Sequence, residues 1–261
     1  MNLDLRGKRA LVCGSTQGIG KAAALELALL GASVTLVARN EESLISVKRE
    51  LSVLFQQQHD YLVADFSRPD ELRQVITRYV ENRPIHILVN NTGGPASGPI
   101  TEAAEDAFIQ AFNNHLICNQ VLAKAVFPSM KSAGYGRIIN IISTSVKQPL
   151  RNLGVSNTVR AAVANWAKTW SNEVARYGIT VNNVLPGATN TVRLQSLIEL
   201  KAGKTGVKLE DVRHEMMEEI PMGRFAEASE IANAVAFLAS PAAGYITGIN
   251  VPVDGGRTGN L

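Results

Sequence analysis

The chain has 261 residues, the size of one large α/β domain, and its 26 Lys+Arg against 23 Asp+Glu leave a formal charge of +3. So slight an excess gives no argument for nucleic acid or another polyanion as a partner. Hydrophobic residues make up 46% of the chain, enough to fill a sizeable core, and no apolar run approaches the ~20 residues of a membrane span. The opening MNLDLRGKRALVCG carries charge where a signal peptide needs apolar residues, so a soluble, cytoplasmic protein is expected. Cys13 and Cys118 stand far apart with no metal-ligand spacing, which indicates neither a disulfide framework nor a zinc site. Both read as buried thiols.

Strand and helix signals alternate along the chain. Arg9 to Cys13 is a short apolar run, GSTQGIG follows, and the Ala- and Leu-rich segment Lys21 to Leu30 favours helix. Ser33 to Val37 then precedes a polar helix over Glu41 to Gln57, Tyr61 to Ala64 precedes a helix over Pro69 to Val80, and Ile85 to Val89 ends at NNTGGP. Gly136 to Ile142, Ile179 to Leu185 and Asn250 to Val253 add three more β segments, each set apart by helical stretches. Parallel strands need crossovers that cover both faces of the sheet. The expected fold is therefore an α/β doubly wound parallel sheet of seven strands, a Rossmann arrangement, in a single domain covering 1–261. One stretch breaks the rhythm: Ala188 to Arg224 is charge-rich and helical, with Leu209, Val212, Met216 and Ile220 at amphipathic spacing. It reads as an insertion above the sheet, placed to cover a substrate.

The turn Gly14-Ser15-Thr16-Gln17-Gly18-Ile19-Gly20 joins a strand to a helix. Glycines let such a turn close and let backbone approach a pyrophosphate, which the free N–H groups and dipole of the following helix attract. The spacing GxxxGxG, with Asp65-Phe66 after the third strand, Asn90-Asn91-Thr92-Gly93 after the fourth and Pro186-Gly187 with Thr191 after the sixth, resembles the short-chain dehydrogenase/reductases. The closing Val253-Asp254-Gly255-Gly256 matches as well, so the resemblance runs from Leu5 to Gly256. It implies that Asp65 and Phe66 contact adenine, that Asn91 stabilises the sheet beside the cofactor, that Thr191 binds the carboxamide, and that Ser143 stands at the family's serine position. It also implies a homodimer or homotetramer, built through helices here at about Asp106 to Met130 and Ser156 to Tyr177.

Cofactor choice is a question of charge at the end of the second strand. An acid about 20 residues beyond the glycine turn holds a ribose 2′-hydroxyl. Here Ala38 takes that place and Arg39 follows. A guanidinium beside a missing carboxylate favours NADP over NAD, because it can fork to phosphate; the other reading of Arg39 is a solvated surface cation. Gln17 stands where NADP-preferring relatives often carry a basic residue.

The chemistry end departs from the family. Its apparatus is a serine, a tyrosine thirteen residues on, a lysine four beyond, and a supporting asparagine. The lysine lowers the phenol's pKa from ~10 so that it exchanges a proton with the substrate oxygen. Counting from Ser143, these places hold Ser156 and Arg160, and the asparagine place falls on His115. Arg160 keeps a cation able to bind ribose hydroxyls, whereas Ser156 is too weak an acid and too short to stand in for tyrosine. His115 titrates near neutrality when unperturbed and is either a substitute relay or a packed core histidine; Lys147 is either a supplied ammonium or a solvated loop lysine. Trp166 and Trp170, one helical turn apart, read as packing residues. Arg193, Arg213 and Arg224 face either an anionic ligand or water. Two functions stay open: an NADP-dependent carbonyl reductase resembling the 3-oxoacyl-carrier-protein reductases, with His115 or water as proton donor, and a silent dinucleotide-binding protein whose chemistry has lapsed.

Overall fold

The computed structural model describes residues Met1–Asn260. The strands β1 (Arg9–Cys13), β2 (Ser33–Ala38), β3 (Asp60–Val63), β4 (Ile87–Asn90), β5 (Gly136–Ile141), β6 (Ile179–Pro186) and β7 (Asn250–Val253) form one parallel sheet in the order β3-β2-β1-β4-β5-β6-β7. The crossovers carry α1 (Gly18–Leu29), α2 (Glu41–Glu50), α3 (Pro69–Val80), α4 (Glu105–Phe112), α5 (Cys118–Ala133), α6 (Gly154–Val174), α7 (Val192–Thr205), α8 (Leu209–Glu218) and α9 (Ala228–Ala239). The doubly wound sheet expected from the alternation is thus the observed fold. None of the described helices is long and apolar enough to cross a membrane.

Side chains on a strand alternate between faces, and the core divides accordingly. Ala10, Val12, Ile87, Val89 and Ile139 pack with Leu27 of α1, Leu44 of α2 and Val235 of α9. Leu11, Cys13, Leu88 and Ile138 pack on the other face with Ile76 of α3, Leu122 of α5 and Val174 of α6. Cys13 and Cys118 are both buried free thiols. Trp166 and Trp170 sit between α5 and α6, both donating an indole N–H to Gln120 Oε1 at 2.7 and 2.9 Å.

Near the carboxyl ends of the central strands the apolar pattern gives way to a row of amides. Asn90, Asn140, Asn183 and Asn250 are in register across β4, β5, β6 and β7. Each Nδ2 donates to the next Oδ1 at 2.8 Å, from Asn90 to Asn140, Asn140 to Asn183, and Asn183 to Asn250. A one-residue slip of any strand would turn its asparagine to the opposite face, so the ladder ties the heights of four strands together.

Three segments differ from the sequence pattern. The polar helix ends at Glu50 rather than Gln57: the chain must descend to begin β3, and Gln57 Nε2 donates to Ala28 O at 2.6 Å while His59 Nδ1 accepts from Val34 N at 3.0 Å. These tertiary bonds hold residues 51–59 as a loop against helix propensity. The helix expected over Asp106 to Met130 is interrupted by a π-helical turn at Asn113–Ile117. In the Ala188 to Arg224 insertion, α7 and α8 meet at Gly206, a left-handed residue with φ +70°, and bury Leu194, Ile198, Val212 and Ile220 against Phe225. Leu209, at the first turn of α8, is 45% exposed and does not join that face.

Replacing Asn140 by Ala strands Asn90 Nδ2 and Asn183 Oδ1 in the interior. Urea unfolding with an unchanged m-value is expected to show a loss on the order of 3 kcal/mol.

Candidate active site

The carboxyl edge of the sheet brings most of the marked residues to one crevice, the place where strand order reverses between β1 and β4. Two glycines make this possible. Gly14 has φ +58°, and a Cβ there would lie 2.6 Å from Asn91 O; a Cβ on Gly20 would lie 2.2 Å from Gly14 O. The Asn91 amide donates to the carbonyls of Cys13 and Gly14, each at 3.3 Å, and so couples the glycine turn to the end of β4. Ser15 is buried, its Oγ accepting from Val37 N at 3.0 Å. At the start of α1, Gln17 caps with no side-chain hydrogen bond, leaving first-turn N–H groups of Gly18, Ile19 and Gly20 to an outside acceptor. Backbone cradle, uncapped helix end and glycine clearance together fit a pyrophosphate, with Thr16 and Gln17 on the same turn.

At the far end of β2, Arg39 is exposed and lines a cavity of about 240 Å³ with Ala64, Asp65 and Leu72. The Asp65 carboxylate accepts from Ser67 N at 2.9 Å, which lowers its pKa despite partial burial, with the Arg39 cation adding to the effect. Phe66 accepts the Cys118 thiol at its carbonyl; burial raises that thiol to about 12, so it is inert at neutral pH. On the opposite side Thr191 caps α7, its Oγ1 accepting from Leu194 N at 3.4 Å, and its Cγ2 stands 3.3 Å from where a Gly18 Cβ would be. Pro186 ends β6, and Gly187 approaches Asp254 so closely that a Cβ would sit 2.7 Å from its Cα. Gly93, by contrast, has open space before it.

Ser143 follows β5, its Oγ accepting from Ser145 N at 3.0 Å, which leaves the hydroxyl hydrogen free to donate outward. Ser156 is half-buried in the first turn of α6. One turn on, Arg160 is 8% exposed and donates from Nη1 to Ile141 O at 2.9 Å, two residues before Ser143. Burial, then the nearby Arg193 cation, lowers this guanidinium to about 10, still charged at neutral pH. His115 is buried in the π turn, Nδ1 2.5 Å from Thr92 Oγ1 and Nε2 without a partner. Burial, together with Arg160, drives its imidazole to about 2. The π turn is what delivers it: an extra residue in the helix re-aims one side chain, a common feature of functional sites.

The insertion contributes one arginine. Arg193 reaches across to donate from Nη2 to Pro95 O at 2.7 Å, bridging α7 to the loop after β4. Arg213 donates to Gln195 Oε1 at 3.1 Å and Arg224 forks to Glu230 at 2.7 Å, so both are turned to the protein itself. The Lys147 carbonyl accepts from Asn260 Nδ2 at 2.9 Å, while Arg257 pairs with Glu219. The tail thereby ties the Ser143 loop to the insertion. Sequence reasoning missed Thr92 as the partner of His115 and the four-asparagine ladder; one Asn within each of four otherwise apolar β segments was the available signal.

His115 is neutral in the fold and titrates near 6.5 when unfolded. Its contribution to stability is therefore complete above pH 6.5 and is lost as pH falls below it toward 2. Between pH 7 and 5.5, urea unfolding of the native chain is expected to lose roughly 1 kcal/mol more than His115→Gln does.

The family model described as Enoyl-(Acyl carrier protein) reductase matches residues 14–258. The 3-oxoacyl-[acyl-carrier-protein] reductase FabG of Pseudomonas aeruginosa is 34% identical over 258 residues, 97% of this chain and 98% of the relative. The NADPH-dependent reductase BacG of Bacillus subtilis is 31% identical, over 95% of this chain and 97% of its own. The crystal structure of L-sorbose reductase from Gluconobacter frateurii, complexed with NADPH and L-sorbose, superposes with a TM-score of 0.93 over 100% of both chains at 31% identity. With the family model matched over most of the chain and relatives above 30% identity aligned over nearly its whole length, the chain belongs to the short-chain dehydrogenase/reductase family.

Proposed function

We propose that the protein is an NADP-dependent reductase of carbonyl compounds in which Ser143 polarises the carbonyl and water replaces the family's tyrosine as proton source. One observation carries this reading: the dinucleotide crevice is complete from Gly14 to Thr191, while Ser156 replaces the phenol and His115 is held neutral. The comparisons support it, since relatives with NADPH in their names or structures align over nearly the whole chain. Arg39 in the cavity beside Asp65 favours a 2′-phosphate over a bare ribose.

When bound, NADPH supplies a hydride to the carbonyl carbon, and the C=O π pair moves to oxygen. Ser143, already accepting from Ser145 N, donates a hydrogen bond that polarises that oxygen, and a water molecule gives the alkoxide its proton and leaves as hydroxide. Thr92 Oγ1 and His115 Nδ1 share a hydrogen bond, and Nε2 has no partner among the described residues. With a pKa of about 2 the ring stays neutral and does not cycle through imidazolium at neutral pH. Arg160 supplies positive potential that favours the developing alkoxide. The insertion bearing α7 and α8 covers the substrate. A homodimer or homotetramer built through α4, α5 and α6 is supported by the exposed Ile109 and Phe112 on α4, and buried unpaired thiols suit a cytoplasmic location.

Loss of NADPH absorbance with oxoacyl thioesters, diketones, ketoses and oxo acids tests the reading. Turnover by the native chain is expected, and binding of NADPH without turnover of any of them would sink it. Should activity emerge only in the Ser156→Tyr, Arg160→Lys double variant, the native protein is a lapsed enzyme. Arg39→Asp is expected to raise the NADPH KM by roughly 10- to 100-fold and narrow the gap to NADH, the cost of losing charge-assisted bonds to phosphate.

A further inference from the structure

We infer that Arg193 is a latch on the nucleotide crevice: its bond to Pro95 holds the α7–α8 insertion against the loop after β4, and the breaking of that bond sets how fast NADP(H) enters and leaves. Such a role requires the dinucleotide site alone, whatever chemistry is done there. The insertion is built as a separate body. Leu194, Ile198, Val212, Ile220 and Phe225 bury one another in a cluster distinct from the two that cover the sheet. It leaves the domain through a narrow neck, a single parallel bridge between Thr189 and Ala226. There Asn190 N donates to Ala226 O at 2.7 Å and Ala226 N to Ala188 O at 2.9 Å. Its far base is fastened to the closing turn, where Met222 N donates to Gly255 O at 3.2 Å and Arg257 pairs with Glu219. A body with its own small core, joined to the domain by few bonds, opens at low cost.

The first turn of α7 is the free end of that body. Val192 there is 67% exposed, and Arg193 Nη2 donates to Pro95 O at 2.7 Å, among the described residues the one hydrogen bond from the insertion to the loop after β4. The acceptor side is held still. Asn91 donates to the carbonyls of Cys13 and Gly14, Thr92 Oγ1 lies 2.5 Å from His115 Nδ1, and Gly98 N donates to Asn152 O at 2.8 Å. Pro95 sits between these fastenings, so the insertion is the part that moves when the bond opens. The bond also completes a ring of chain. From Gly14 the ring runs by Asn91 to Pro95, crosses to Arg193, and returns by Thr191, which stands against Gly18. Both the glycine turn and Thr191 lie on it, so release of Arg193 parts the two walls that hold the nucleotide. A single charge-assisted bond at the surface is strong enough to bias such a lid and weak enough to break often.

Stopped-flow fluorescence of NADPH measures both rates without turnover, association by mixing with the protein and dissociation by displacement with excess NADP⁺. In Arg193→Met both rates are expected to rise roughly tenfold, the effect of removing one charge-assisted hydrogen bond. Kd is expected to stay unchanged, because a bond between two parts of the chain must open for entry as for exit. Arg193→Lys, whose ammonium can still donate to the Pro95 carbonyl, is expected to return both rates to within about threefold of the native values. Without NADPH, hydrogen exchange at the amides of residues 188–196 is expected to quicken in Arg193→Met and not in Arg193→Lys. Rates unmoved in Arg193→Met, or not restored by lysine, overturn the latch. A rise in dissociation alone, with Kd weakened in proportion, makes Arg193 a direct ligand of the nucleotide and overturns it as well. Failure of the native chain to bind NADPH removes latch and reductase together, whereas the expected rates with no carbonyl turned over keep the latch and remove the reductase.

Discussion

The amide ladder from Asn90 through Asn140 and Asn183 to Asn250 is the constraint on which the crevice depends. Parallel strands with apolar side chains can pack at more than one height, because dispersion contacts are not directional. Three buried amides, Asn90, Asn140 and Asn183, with the exposed Asn250 closing the row, must meet donor to acceptor and so allow one height only, since an unpaired buried amide is costly. With β4, β5, β6 and β7 so aligned, the loops that leave them arrive together: Asn91 beside Gly14, Ser143 beyond Ile141, Pro186 and Gly187 against Asp254. The ladder lies just below the crevice, so the feature that sets register also sets the floor of the site.

Charge in the candidate site is set by groups that do not exchange protons near neutrality. Arg160 is buried and stays charged, and Ser156 offers only an aliphatic hydroxyl. His115 brings no titration either, because burial and the Arg160 cation keep it neutral. What remains is a fixed electrostatic field of one buried guanidinium and several hydroxyls, which stabilises negative charge without exchanging protons itself.

Much of the fold was legible because its signals are local. Apolar β segments, glycine-bounded turns and Ala-rich helices alternate within short windows, and all seven strands lie where those windows place them. Elements whose limits depend on distant partners were not legible. The helix after β2 stops at Glu50 because Gln57 bonds Ala28 and His59 bonds Val34, across the sheet edge. The π turn around His115 could not be read, since helical periodicity is blind to a single inserted residue. Leu209 matched the amphipathic spacing and nevertheless faces solvent, because α8 meets only α7 and the Phe225 segment.

By itself the sequence determined the class of the fold and the family, since these follow from spacing and residue type. The resemblance pointed to Ser156, Arg160 and His115 as site residues and left their chemical state open. Only the tertiary structure decided that. A histidine is a proton exchanger or a neutral ring according to its burial, and an arginine is a solvated cation or a tie between segments according to what faces it. Burial and counter-charge are properties of neighbours brought together by folding. Hence Arg193, Arg213 and Arg224 were alike in the sequence, whereas in the fold Arg224 is paired to Glu230, Arg213 bonds Gln195, and Arg193 bonds the Pro95 carbonyl in the loop after β4.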